Sequence, residues 1–446
     1  MRLHFVAGAL FVPLAATPAF AQEATIPETS VQYGPVDEHA AVRADGTGEA
    51  ADPAPLGPGS EMLDAAIAEA ATKYPSVLAA RAGVRAAQAN AKGAGWQRFP
   101  SLSVEAQGIG TGSGSSDYSF RLEEPLWAGG RISGSIKVAK AQLDAATAGF
   151  DEVRLDISLR VSAAFYDVQR LAQREVILED SLAEHTKLVD SMARRVDMGL
   201  SAASDLDLAR SRAAQVEQDL VLTNGQRRVS LTRLRELTGD PSFSITQIVS
   251  YDPELHHPDA AGILNDALAF DPKRRRLQAE RDVADADISV RRGLLMPQVN
   301  LQYQKPLYGP DSLGVVLRAQ TDGGLSRFSA VDAAKQRLAQ SEATILSNER
   351  ELREVIEADT LENSVARNRI ATSAIASSSS QAVTDSYMRQ FIAGRRTWLD
   401  VMNAVRESMA ARLSDVEART SAVASATRLL MRSGRWRPQI RQEDDQ

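Results

Sequence analysis

The chain has 446 residues, 43% hydrophobic and 24% charged, with a net charge of −7, and at ~150 residues per domain it has room for about three globular units. Aromatics make up 5%, and no uncharged apolar run of about 18 residues follows the first twenty, which excludes a helical membrane protein, a collagen and a wholly disordered chain. The absence of Cys removes disulfides, thiolate zinc sites, thiol nucleophiles and a lipidated N-terminal Cys, and a mildly acidic balance without a basic patch gives no reason to expect nucleic acid.

Arg2 precedes an apolar run from Phe5 to Ala16, and Ala19-Phe20-Ala21 offers the small-x-small pattern cut by a signal peptidase. Cleavage is expected after Ala21, with export from the cytoplasm. Residues 22–60 are rich in Pro, Gly, Ala and acids without apolar periodicity, and are expected to be extended or disordered.

Beyond that segment the chain repeats itself. A shift of 195 residues lays Asp190 on Asp385, Ser191 on Ser386, Arg194 on Arg389, Gly199 on Gly394, Asp205 on Asp400 and Ala209 on Ala404. Thr232-Arg233-Leu234 then falls on Thr427-Arg428-Leu429, and Gly239 on Gly434, without a gap. Upstream, with small slips, Phe99-Pro100 matches Met296-Pro297 and Gly129-Gly130 matches Gly323-Gly324. The expected layout is a first repeat over 61–240, a connector over 241–262, a second repeat over 263–434 and a tail over 435–446. Each repeat reads as helix, two strands, long helix, turn, long helix.

In the first repeat, Leu102, Val104 and Ala106, then Tyr118, Phe120 and Leu122, alternate as two strands with one apolar face. In the second, Val299, Leu301 and Tyr303, then Leu313, Val315 and Leu317, do the same. The loops Gly108 to Ser116 and Pro306 to Pro310 join them as hairpins. Four strands cannot close a membrane barrel, which needs at least ~8, so lipid-facing strands require several subunits in a ring. Packing the ribbons on a soluble core is the other reading.

After the strands, sevens counted from Ile136 give Leu143, Phe150, Ile157, Ala164, Leu171, Leu178, His185 and Met192, with Val161, Val168, Leu182, Val189 and Val196 as partner positions. This is a coiled-coil period. From Ser133 to Met198 it predicts about 100 Å of helix. Gly199 stops it, and Ser204 or a neighbour caps a second helix running back to Leu237; Gly394 and Thr397 take those places in the second copy.

These features together resemble the TolC-like outer membrane efflux and secretion channels over nearly all of Met62 to Gly434. The likeness rests on the duplicated layout, the Pro opening the first strand of each copy, the Gly-Gly after the second, and the Gly-x5-Asp turns at Gly199 to Asp205 and Gly394 to Asp400. The run from Phe391 to Glu407 is most similar to members serving type I secretion, including those exporting large adhesins. The resemblance implies a mainly α fold with a small β share. Antiparallel coiled coils would form a periplasmic α-barrel, and four strands per protomer a trimeric 12-stranded barrel in the outer membrane. It also implies docking of a membrane fusion protein at two helical tips (Gly199, Leu200, Ser201; Gly394, Arg395, Thr397, Trp398), with energy from an inner-membrane ABC transporter or proton-driven pump.

The family's tip is a gate of acidic rings and interhelical links. Asp400 matches its first gate aspartate, while Asn403 stands in place of the second, so the resemblance implies half the ring charge and lower cation affinity. Arg396 matches the link arginine and is expected to reach Ser204 or Asp205, whereas Phe391 replaces the link tyrosine and cannot donate a hydrogen bond. Without a channel, Asp205 and Asp400 would still favour a first helical turn, by about 0.3–1 kcal/mol.

Other polar features have plainer readings: His185 as a register-setting residue on the apolar stripe, His256-His257 as surface, and Lys273 to Arg276 as the solvated start of a helix. Phosphate-loop, His-Glu-x-x-His, Gly-x-Ser-x-Gly and dinucleotide motifs are missing, so no enzyme, metal or cofactor is expected. The leading functional expectation is a passive trimeric conduit for type I secretion. A multidrug efflux duct is the alternative in the same class, and a soluble periplasmic coiled-coil adaptor the alternative outside it.

Overall fold

The computed structural model describes residues 61–107, 117–306, 309–319 and 325–437. The signal peptide, the segment 22–60, the loop Gly108 to Ser116 and Gly323-Gly324 lie outside them. The chain order is α1 (Glu61–Lys73), α2 (Pro75–Trp96), β1 (Ser101–Gln107), β2 (Asp117–Trp127), α3 (Arg131–Asp197), α4 (Ala203–Thr238), α5 (Ile263–Phe270), α6 (Pro272–Gly293), β3 (Gln298–Pro306), β4 (Ser312–Arg318), α7 (Ser326–Ile392) and α8 (Trp398–Arg432).

The period of seven carries α3. Ile157, Ala164, Leu171, Leu178, His185 and Met192 are all buried, so from Ile157 down every position of the stripe faces a neighbouring helix. At 67 residues, α3 and α7 each rise about 100 Å. The stripe of α7 is less apolar: Asn348, Asp359, Asn363, Ser373 and Thr384 are buried along it. Their polar groups are answered from α8 and the start of α6. Asn363 donates to the Ala422 carbonyl at 2.9 Å, Thr384 to that of Ala404 at 3.0 Å, and Asn348 to Asp271 at 3.1 Å.

The helices form two rows. Above, the order of contact is α2–α3–α6–α7; below, it is α4–α3–α8–α7. The main core lies where the rows meet. Leu63, Ile67 and Val77 pack there on Ile157, Val161 and Phe165 of α3, Leu234 of α4 and Trp436 beyond α8.

The basic run at the start of α6 is paired rather than merely solvated. Lys273 meets Glu351 at 2.8 Å and Arg274 meets Glu349 at 2.8 Å on α7, while Arg275 meets Asp151 at 3.1 Å and Arg276 meets Glu152 at 2.6 Å on α3. Four consecutive side chains on one helical turn point to different sides, so the run bolts α6 between its neighbours. His256 also departs from the surface reading. It is buried, stacks on Tyr251 at 5.9 Å and accepts from the Asp252 N–H at 2.9 Å, while His257 is exposed.

The strands form one antiparallel sheet in the order β1-β2-β3-β4. Its register puts Leu102, Leu122, Tyr303 and Leu313 in one row, and Ser103, Arg121, Gln304 and Ser312 in the next row on the opposite face. Pro125 cannot donate to the ladder, and a bulge between Pro125 and Trp127 brings Trp127 opposite Val299.

Candidate functional site

Two places in the fold carry groups that only a partner or a second phase would satisfy: the sheet face and the helical tips.

On the sheet, the apolar face is the open one. Leu102 is 68% exposed and Val315 65%, whereas Asn300 on the polar face is 5% exposed. That polar face is internally bonded, with Asn300 donating to Glu123 at 2.5 Å and Arg318 3.4 Å from the same carboxylate. Below the sheet lies a band of exposed large side chains: Trp96 at the end of α2 and Phe99 beyond it, Trp127 at the end of β2, Met296 before β3, and Leu325 and Phe328 at the start of α7. An outward apolar band edged by aromatics is the pattern of a barrel wall in lipid.

At the other end, both long helices close with the same turn. Gly199 has φ +70° and Gly394 φ +72°, a region costly for any side chain with a Cβ. The Leu200 N–H donates to the Arg195 carbonyl and the Arg395 N–H to that of Gln390, both at 2.8 Å, which satisfies carbonyls the helix leaves open. The helix N-cap falls three residues after each Gly. In the second copy this is Thr397, whose hydroxyl accepts from the Asp400 N–H at 3.3 Å. In the first it is Ala202, which has no side-chain acceptor. Ser204, expected to cap, lies inside α4 and is exposed.

Beneath the turns, Leu188, Ala209, Phe391, Val401, Met402 and Val405 form a small core drawn from all four helix ends. Phe391 is therefore a packing residue. The guanidinium of Arg195 lies 5.5 Å from its ring and also donates to Ser201 at 3.3 Å, which ties one hairpin to the other. Arg396 does not reach Ser204 or Asp205. It pairs with Asp400 at 3.6 Å, one helical turn on, donates to Gln390 at 3.4 Å, and lies 4.2 Å from the Tyr387 ring centre. Its partners are local because Asp400 stands at i+4, while Ser204 and Asp205 belong to the other hairpin. Reading the sequence missed Tyr387 and Arg195. Tyr387 stands one turn before Phe391 on the same face, and that spacing was the available signal.

Asp400 is half-buried and Asn403 exposed, three residues apart on one face of α8; Asp205 is half-buried at the start of α4. At the extremity Met198, Leu200, Ile392 and Leu399 are exposed, as are Gly199, Gly394, Arg395 and Thr397, while Ser201 and Trp398 are half-buried. Among the described residues no group of His, Asp and Glu is placed to hold a metal ion, and no helix is long and apolar enough to cross a membrane.

Residues 66–240 match the family model described as outer membrane efflux protein. The outer membrane efflux protein BepC of Brucella suis biovar 1 is 21% identical over 394 residues, covering 84% of this chain and 86% of that one. The nickel and cobalt resistance protein CnrC of Cupriavidus metallidurans is 23% identical over 280 residues, 61% of this chain and 66% of its own. Among solved structures, the outer-membrane channel OprN superposes with a TM-score of 0.75 at 17% identity, over 84% of this chain and 90% of its own.

Proposed function

We propose that this chain works as a channel of the outer membrane efflux protein family, whose model its residues 66–240 match, and that three copies close into one conduit: a twelve-stranded barrel in the outer membrane above a periplasmic tunnel of helices. The observation that carries this is that all three layers are open at the same two edges. β1, α2 and α4 end one side and β4 and α7 the other, which supports each row continuing into another copy. A repeated edge-to-edge contact generates a ring, and four strands from each of three chains give a barrel above the minimum of ~8. The lower edges are apolar where they would meet. Val221, Leu222 and Val229 are exposed on α4, and Leu361, Val365 and Ile375 on α7.

Val229 and Val365 both stand about 40 Å above the tip at 1.5 Å per residue. Cysteines at these two positions, in a chain that has none of its own, should cross-link into a covalent trimer under oxidation. Monomer alone on a non-reducing gel would overturn the ring.

Such a conduit is passive, so energy comes from an inner-membrane ABC transporter or proton-driven pump, joined through a membrane fusion protein at the exposed tips Leu200 and Arg395. Asp400 and Asn403 line the constriction, with Arg396 and Tyr387 behind them. The cargo we propose is protein, in a type I secretion machine, on the strength of the run Phe391 to Glu407. Efflux of small solutes is the second reading, favoured by relatives named for efflux and for nickel and cobalt resistance. Deleting the gene and measuring secreted adhesin against drug and metal sensitivity separates them. A soluble adaptor is disfavoured by the open apolar face of the sheet.

A further inference from the structure

We propose that the cleft between α3, the α5–α6 junction and the chain beyond α8 binds a small anionic ligand, a carboxylate or phosphate carried on an apolar body. The cleft has a volume of about 530 Å³. Three guanidiniums line it, from Arg154, Arg275 and Arg437. Arg275 is answered by Asp151 at 3.1 Å. Among the described residues Arg154 and Arg437 make no ion pair; each rests on a ring instead, Arg154 5.4 Å from the centre of Phe150 and Arg437 4.8 Å from that of Phe270.

Arg81 of α2 adds a fourth cation within electrostatic reach. Burial holds the Arg154 guanidinium below its ordinary range; Asp151 opposes this and Arg81 adds to it more weakly. Three guanidiniums stand against the single carboxylate of Asp151 in the lining, so the cleft offers an entering anion a net positive charge.

The walls decide what kind of anion. Leu155, Phe270, Met431 and Trp436 give the cleft an apolar side. The ring of Phe270 is seated by Gly434, where a Cβ would fall 2.5 Å from its Cγ. The next residue, Arg435, anchors the segment to Asp266 at 2.7 Å and to the Asp259 carbonyl at 3.0 Å. The cleft is thus preformed within one chain. Guanidiniums suit the paired oxygens of a carboxylate or phosphate, and the walls suit a flat or branched apolar body.

The test is calorimetric titration of the full-length protein in a non-ionic detergent with 1-naphthyl phosphate, with inorganic phosphate and 1-naphthol as separate titrants. The expected result is saturable binding of one naphthyl phosphate per chain, with affinity at least about tenfold weaker in Arg154→Met and in Arg437→Met, as for a lost charged hydrogen bond. Phosphate alone and naphthol alone should each bind at least about tenfold more weakly, since each uses one half of the cleft. Absence of saturable binding, or unchanged affinity in the Arg437→Met protein, would overturn the site. Phosphate binding as tightly as naphthyl phosphate would overturn the ligand class. The Arg437 side chain is itself exposed, so its variant reads the site even where Arg154→Met fails to fold. Subunit mass, measured on the same samples, keeps a failure of assembly distinct from a failure of this site.

Discussion

Replacing Leu122 by Arg puts the two environments of the sheet face into direct conflict. Leu122 sits mid-strand in β2, flanked by Leu102 and Tyr303 in the exposed apolar row. In lipid, an Arg near the mid-plane of a barrel wall costs about 2–4 kcal/mol, and three chains inserting as one ring would together bear about 6–12 kcal/mol. In water the same change, at a side chain 42% exposed, would fall within about ±0.5 kcal/mol. Chain for chain the two costs are thus about four- to eightfold apart, and no fine accounting is needed to separate them. The assay is the yield of heat-sensitive trimer in the outer membrane fraction, with Ser103→Arg on the opposite, polar face as the control. Leu122→Arg should abolish most of the trimer and Ser103→Arg should leave it. Wild-type yield of the Leu122→Arg protein would refute a lipid-facing sheet.

Three further outcomes are expected. Asn403→Asp adds a second carboxylate three residues beyond Asp400 on one face of α8, and should strengthen block of the conductance by divalent cations; an unchanged block would remove the single-ring reading. Arg396→Ala removes the partner of Asp400 and the cation over Tyr387, and should raise basal conductance in planar bilayers. Burial lowers the pKa of His185 from its ordinary 6.5, opposed by its bond to the Ser181 carbonyl. The folded state then binds fewer protons than the unfolded, so this contribution to stability is present above pH 6.5 and is lost as pH falls below it. The melting temperature should drop from pH 7.5 to 5.5, and less so in His185→Gln; equal drops would exclude His185 as the cause.

Much of the fold was legible because its strongest signals are periodic. The stripe from Ile136 to Met192 fixed α3, the two Gly turns fixed its hairpin, and alternation from Leu102 to Leu317 fixed four strands. What stayed hidden depends on partners distant in sequence. Nothing local distinguishes a solvated basic run from one paired to Glu349, Glu351, Asp151 and Glu152, which lie over 70 residues away. His256 looked like surface because its Pro-rich surroundings lack periodicity, yet it is buried and stacks on Tyr251, which itself packs against the main core. Of the candidates for the cap of α4, Ser204 or a neighbour, Ser204 is the better acceptor by type, while the turn geometry assigns the position to its neighbour Ala202. At the tip, the turns at Gly199 and Gly394 were readable, but the direction of Arg396 was not, since it depends on which of two hairpins offers the nearer carboxylate.

Single-channel conductance of the purified protein in a planar bilayer, with the subunit number first fixed by mass, tests the central claim most directly. A trimer giving small steps that divalent cations block is the expected result. A species that stays monomeric and never inserts would contradict both the ring and the lipid-facing sheet.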